Sequence, residues 1–304
     1  MFAHDIIKKR ILVFGVNGML GQRVTNHFMN MENVEFLGVS MEDASFIPGI
    51  DYLKVDISQR QEVKRAVLDF YPDFIVNAAA FTNVDLCESQ RETAWKVNVK
   101  GVEFMCEGAR ITDAHLIHFS TDYVFNGKSG PYSENDKPDP VGYYGRTKLA
   151  SENAIRLTAP SYTVFRINVL YGVAHYGRPD FVRWVVSSLR ENKTIRIVKD
   201  QINNPTFIDD AVQGISKAIE FRKTGIYNIG GREFLSRLDF TYRIAGYFDL
   251  DKTLITVINT SELNQAARRP LNSGLYTIKA ETELGFIPTD IEESFRMMKD
   301  ELGL

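Results

Sequence analysis

Tyr144 and Lys148 stand four positions apart in Tyr144-Gly145-Arg146-Thr147-Lys148, a spacing that puts both side chains on one face of a helix. A tyrosine near its unperturbed pKa of about 10 is a poor proton carrier at neutral pH, and an ammonium beside it lowers that pKa by favouring the phenolate. Such a pair can exchange a proton with a carbonyl oxygen. A hydroxyl from Thr121 or Ser120, in Ser120-Thr-Asp-Tyr-Val-Phe125, would polarise the same carbonyl by hydrogen bonding. Tyr-x-x-x-Lys alone is common on helix surfaces, so its weight depends on what precedes it.

What precedes it has the order of a dinucleotide site. Gly15-Val16-Asn17-Gly18-Met19-Leu20-Gly21 follows the unbroken apolar run Ile11–Phe14, which reads as a strand buried on both faces of a parallel sheet. Met19, Leu20, Val24 and Phe28 then recur at helical spacing. In a strand–turn–helix unit the glycines permit a tight turn, close backbone approach to phosphate and close helix–strand packing. The helix start offers unpaired N–H groups and a positive dipole end to a pyrophosphate. The spacing here is G-x-x-G-x-x-G rather than G-x-G-x-x-G. Gly15, Asn17, Gly18, Met19, Leu20 and Gly21 are the candidate contacts, and Lys148 can hold the nicotinamide ribose.

Other candidates lie where later strands should end, since ligands of such sheets sit at the strands' carboxyl ends. Asp56, followed by Ile57, could accept from an adenine amino group, and the small residues Ala78, Ala79 and Ala80 let a cofactor lie against the backbone. An acidic residue ~20 positions past the glycines would favour NAD. The run Val34–Val39 instead ends at Ser40-Met41, with Glu42 and Asp43 only afterwards and no Arg or Lys to grip a 2′-phosphate. NADPH and NADH both stay open.

The positioning elements alternate between strand-like and helix-like segments. Strand-like runs are Tyr52–Val55, Phe74–Ala79, His115–Phe119 and Tyr162–Ile167. Between them lie helical patterns through Val63, Ala66, Val67 and Phe70, through Ala94, Val97, Val102 and Met105, and from Tyr143 onward. Ser58, with Gln61 three residues on, reads as a capping box for the first of these. The rhythm predicts an α/β fold, a doubly wound parallel sheet of Rossmann type with a smaller C-terminal lobe. Residues 1–170 form the expected dinucleotide-binding domain, with 205–230 returning to it. Residues 171–204 and 231–304 form the expected substrate lobe.

Composition excludes several classes. Hydrophobic content of 44%, charged content of 25% and a net charge of −3 describe an ordinary globular chain with no electrostatic case for nucleic acid or an anionic membrane. No run approaches the ~20 apolar residues of a membrane span. The stretch Met1 to Arg10 lacks the apolar core of a secretory signal, so the expected location is the cytoplasm. Cys87 and Cys106 are too few for a disulfide framework or a zinc cluster, and no metal is expected.

Taken as a set, the motifs carry a resemblance. The chain is similar, over nearly its whole length, to the extended short-chain dehydrogenase/reductases, and within them to the sugar-nucleotide reductases of the dTDP-4-dehydrorhamnose reductase group. The matching segments include Gly15–Gly21, Asn77–Glu88, Ser120–Gly127, Pro131–Glu134, Tyr144–Lys148, Arg166 with Tyr171-Gly172, Asp200-Gln201 with Pro205-Thr206, and Arg269–Ser273. The resemblance implies reduction of a 4-keto-6-deoxysugar nucleotide by NADPH or NADH, with Tyr144 donating the proton, Thr121 orienting the carbonyl and Lys148 supporting both. It makes Asn98 the helix asparagine of a proton relay, places Asp122, Tyr123, Val169 and Arg269 beside the substrate, and implies a homodimer. A diphosphate needs local cations, for which Arg178, Arg183, Arg268 and Arg269 are candidates.

Two positions qualify the resemblance. Rhamnose-pathway reductases usually carry Trp where this chain has Val169, so a flat stacking surface for the sugar is lost, which argues against the rhamnose sugar and leaves the hydride chemistry untouched. Related dehydratases place Asp-Glu after the Thr, whereas this chain has Asp122-Tyr123, which favours simple reduction. A sugar-nucleotide epimerase needs little beyond the Tyr, the Lys and a tightly held cofactor. The regulatory β subunit of methionine adenosyltransferase shares the pattern too, and acts by binding a partner enzyme. Both alternatives stand beside the reductase at this point.

Overall fold

Alternation along the strands builds the two faces of the molecule. In the strand Lys9–Phe14 (β1), Ile11 and Val13 enter one hydrophobic cluster while Leu12 and Phe14 enter another. The next strands are Val34–Ser40 (β2), Asp51–Lys54 (β3), Phe74–Asn77 (β4), His115–Thr121 (β5), Ser161–Ile167 (β6) and Gly225–Ile229 (β7). The same alternation separates Phe74 and Val76 from Ile75, and Ile117 from Leu116. Period-two patterning with both faces apolar is what a sheet covered on both sides requires. Each Val, Leu, Ile or Phe so buried is worth about 1.5–3 kcal/mol. The computed structural model describes residues 8–303, so positions 1–7 of the N-terminal stretch Met1 to Arg10 lie outside the described residues.

The seven strands are hydrogen-bonded in the order β7-β6-β5-β4-β1-β2-β3, every pair parallel. Helices Met19–Phe28 (α1), Arg60–Phe70 (α2), Gly101–Thr112 (α3), Tyr143–Thr158 (α4) and Ile208–Phe221 (α5) cover it. The buried side chains of α1 and α5 join one cluster and those of α2, α3 and α4 join the other, giving a doubly wound sheet. The strand order reverses between β1 and β4, which is where such folds open a crevice for ligands.

The remaining chain builds a wall beyond that crevice. Ile255–Ile258 pairs in parallel with Ile195–Val198, and the helices Phe181–Arg190 and Arg237–Tyr247 pack on one another with the Phe181 and Phe240 rings stacked at 6.0 Å. Their core is continuous with one face of the sheet through Tyr171, Phe240 and Phe295. The helix Ile278–Leu284 packs back on β7 and α5, where Lys279 Nζ donates to the Ile226 carbonyl at 2.8 Å and Tyr227 Oη donates to Glu283 at 2.8 Å. No helix among the described residues is long and apolar enough to cross a membrane.

One expected detail fails. Ser58 does not cap α2: Gln59 holds the N-cap position without a side-chain bond. The turn is closed by Asp56 and Glu62 instead, since Asp56 Oδ1 accepts from the Ser58 N–H at 2.9 Å and Glu62 Oε2 from the Asp56 N–H at 2.7 Å. Two carboxylates compete better for backbone N–H groups than a serine and a glutamine do.

Candidate active site

At the switch point the glycine turn fits against the end of β4. Gly15 has φ +83°, and a Cβ there would stand 2.8 Å from the backbone of Ala79. A Cβ on Gly21 would come within 1.9 Å of the Gly15 carbonyl oxygen, so α1 can approach β1 only without one. Gly18 is the extended N-cap of α1 and supplies no side-chain bond, which leaves the leading amides of the helix for an anion. Gly18, Met19 and Leu20 face Ala78 and Ala80 across a cavity of about 460 Å³. The close glycine packing, open helix start and small residues fit a dinucleotide.

Not every candidate cofactor residue faces that cavity. Ala79 packs toward the core beside Gly15, and Ile57 is buried under Gly101. The Asp56 carboxylate is engaged with Ser58. Asn17 turns its side chain to the loop after β2, where Nδ2 donates to Glu42 Oε2 and to the Ala44 carbonyl, both at 3.0 Å. Its Oδ1 accepts from the Phe46 N–H at 2.8 Å. Ser40 Oγ donates to the same Glu42 oxygen at 2.6 Å.

Thr121 at the end of β5 and Tyr144 and Lys148 on α4 line the cavity together with Asp122, Tyr123 and Val169. Ser120 and Thr121, alternatives in the sequence, are separated by their partners. Ser120 Oγ donates at 2.5 Å to Glu152, whose carboxylate holds Arg166 through contacts of 3.0 and 2.7 Å in a buried ion pair. Thr121 Oγ1 donates to Asp122 Oδ1 at 3.0 Å and accepts from the Tyr123 N–H at 3.2 Å. The Tyr123 ring meets Tyr144 edge-on at 5.9 Å.

The electrostatics reverse one expectation. Burial pushes the Tyr144 phenol above its ordinary value, Asp122, Cys87 and Tyr123 add to this, and only a hydrogen bond with Thr121 opposes it. Lys148 is not among the groups that act on the phenol, and its amine lies 3.2 Å from His118 Nε2. Burial takes Lys148 down to about 8 against the pull of Glu152. Burial likewise raises Asp122 to about 6, opposed by hydrogen bonds from Ser273, at 2.5 Å, and Thr121.

Asn98 lies in a π-helical turn, Lys96–Lys100, which joins a short helix to α3. Such turns re-aim side chains and recur at functional sites. Its amide is bonded to the Phe81 N–H at 2.8 Å, the Phe81 carbonyl at 3.1 Å and Thr147 Oγ1 at 3.0 Å, so it ties the loop after β4 to α4.

Tyr123 also forms part of a second cavity, of about 360 Å³, lined by Arg178, Arg196, Arg237 and Arg269. Arg269 is already paired, donating to both oxygens of Asp85 at 2.7 Å. Arg183 is likewise held by Asp180, and Arg268 is exposed. Arg237, which sequence reasoning missed, has its guanidinium 4.7 Å over the Phe181 ring and meets no carboxylate among the described residues. Its signal was Ser236, whose Oγ accepts from the Asp239 N–H and so starts a helix at Arg237.

The RmlD substrate binding domain family matches residues 9–303 of this chain. The dTDP-4-dehydrorhamnose reductase of Salmonella typhimurium is 31% identical over 96% of this chain and 97% of that protein. The methionine adenosyltransferase 2 subunit beta of Xenopus tropicalis is 32% identical over 90% of this chain and 82% of that one. Among solved structures, the dTDP-4-dehydrorhamnose reductase of Bacillus anthracis, in complex with NADP, superimposes with a TM-score of 0.86 at 27% identity, covering 97% of this chain and 99% of that one. The family model covers nearly the whole length, and the chain belongs to the RmlD substrate binding domain family.

Proposed function

We propose that this chain is an NAD(P)H-dependent reductase that turns the 4-keto group of a 6-deoxysugar nucleotide into a hydroxyl, with Tyr144 as the proton donor. The carrying observation is that Thr121, Tyr144 and Lys148 line one cavity whose far end is the uncapped start of α1. Reduced nicotinamide, when bound, supplies the hydride.

The chain's own residues handle the proton and the charge. Thr121 Oγ1, its hydrogen turned from Asp122 to the substrate, hydrogen-bonds the ketone oxygen and polarises it. Tyr144 Oη gives its proton to that oxygen as the carbonyl carbon is reduced. A phenol held above its ordinary pKa keeps this proton at neutral pH, which suits a donor in the reductive direction. Lys148, as an ammonium, donates to the cofactor ribose and keeps the nicotinamide in register with Tyr144. Asn98 fixes α4 against the loop after β4 and so keeps Tyr144 in place. Arg237 and Arg178 attract the diphosphate, while Arg269 anchors its loop through Asp85. Val169 lines the cavity that holds Thr121 and Tyr144 and contacts the sugar without a flat aromatic face.

Residues 1–170 with 205–230 form the cofactor domain of this proposal, and 171–204 with 231–304 supply the substrate side. The cytoplasm, where nucleotide sugars and reduced nicotinamide meet, is the proposed place of action. The test is oxidation of NADH or NADPH by the purified chain on addition of a panel of 4-keto-6-deoxysugar nucleotides. Turnover with at least one is expected. No turnover with any, together with co-purification of a methionine adenosyltransferase catalytic subunit, would replace the reductase by the regulatory reading.

A further inference from the structure

We infer that Glu42 sets a preference for NADH over NADPH, because the loop after β2 returns its carboxylate to the glycine turn at the place where a dinucleotide fold receives the adenosine ribose. This inference rests on the reading of the chain as a nicotinamide-dinucleotide enzyme.

In the sequence Glu42 comes two residues after β2 ends and looks too late to matter. Asn17, inside the glycine turn, corrects this by folding the loop back. Its Nδ2 donates to Glu42 Oε2 and the Ala44 carbonyl, and its Oδ1 accepts from the Phe46 N–H. Ser40, the last residue of β2, donates to the same Glu42 oxygen at 2.6 Å. Tyr52 Oη donates to the Glu42 carbonyl at 2.5 Å. Carboxylate and backbone are therefore both pinned, between the glycine turn and the end of β2.

The chemistry of this carboxylate discriminates between a hydroxyl and a phosphate. Partial burial raises its pKa, but the hydrogen bonds from Ser40 and Asn17 outweigh that and hold the group below the usual carboxylate value, so it is ionised at neutral pH. Among the described residues no side chain donates to Oε1, which leaves an acceptor for a ribose 2′-hydroxyl. A 2′-phosphate brings about −1.5 to −2 charges and offers no donor in return. No Arg or Lys occurs in Met41–Phe46. Lys54, at the end of β3, is paired with Asp43 at 2.5 Å. A carboxylate with no unpaired cation beside it accepts the hydroxyl and repels the phosphate.

The test is calorimetric titration of the full chain, without sugar substrate, with NADH and with NADPH, for wild type, Glu42→Gln and Glu42→Arg. Wild type is expected to bind NADH about tenfold or more tighter than NADPH, the scale of one poorly screened like-charge contact. Glu42→Gln should bring the ratio within about threefold and Glu42→Arg should invert it, as a guanidinium accepts a phosphate. Raising ionic strength should narrow the wild-type ratio and leave that of Glu42→Gln unchanged, which a purely structural role of Glu42 would not produce. Equal or tighter binding of NADPH by wild type, or an unchanged ratio in Glu42→Gln, overturns the inference while the reductase reading stands. Binding of neither dinucleotide overturns both.

Discussion

Lys148 Nζ lies 3.2 Å from Nε2 of His118, a buried ring whose Nδ1 is 3.0 Å from Asn77 Nδ2. Asn77 Oδ1 accepts from the Ala79 N–H, so its amide nitrogen faces the ring and makes Nδ1 the acceptor. Nε2 then carries the hydrogen, which Ser151 Oγ can accept at 3.1 Å while donating its own to the Lys148 carbonyl. Burial holds His118 well below its ordinary pKa, so the ring stays neutral. An N–H edge gives an ammonium no support, and Lys148 sits where its charge is easily lost.

The pH profile should show this. kcat/KM for reduction reports the free enzyme, so it should fall as pH rises through about 8, where the Lys148 ammonium is lost. The sign follows from the role: the cation is present below that pH and absent above it. Lys148→Arg, if measurably active, should lose this alkaline limb because a guanidinium does not titrate there. A limb unchanged in that variant would assign it to another group.

Arg237 and Arg269 should behave differently. Arg237→Ala is expected to raise KM for the sugar nucleotide about tenfold or more, the scale of one lost charge-assisted hydrogen bond, with little change for the nicotinamide cofactor. Arg269→Ala breaks the pair with Asp85 and should lower thermal stability as well. Steady-state kinetics and melting curves on the two variants check this, and equal KM effects on both substrates would remove the phosphate role.

Glu152 should be worth more to the fold than its distance from the reaction suggests. It neutralises the buried Arg166 and receives Ser120. Glu152→Ala leaves an uncompensated buried cation and should cost about 3–5 kcal/mol in chemical denaturation. A loss below about 1 kcal/mol would show that water reaches Arg166 in place of the carboxylate.

The legible parts of this chain were those written in short, periodic signals. Ile11–Phe14 and Phe74–Ala79 announce strands buried on both faces, the second ending at Asn77, and Gly15–Gly21 announces a turn that only missing Cβ atoms permit. Tyr144 and Lys148 could be placed on one helix from spacing alone. What could not be read depends on distant partners. The return of Glu42 to Asn17 is made by one side chain across a turn with no periodicity. Asp85 neutralises Arg269 from 184 positions away. The π turn at Asn98 needs one residue more per turn, which no apolar pattern marks. The raised pKa of Tyr144 came from burial among Asp122, Cys87 and Tyr123, so proximity of a lysine in sequence gave the wrong sign.

The most direct test is single-turnover reduction of a 4-keto-6-deoxysugar nucleotide by wild type and Tyr144→Phe, each saturated with reduced nicotinamide. Phe keeps the ring packed against Tyr123 and removes only the hydroxyl. The predicted result is a loss of roughly 10²–10⁴-fold in the rate of reduction, the usual worth of general acid catalysis, with cofactor affinity unchanged. A Tyr144→Phe rate within a few-fold of wild type would contradict Tyr144 as the proton donor.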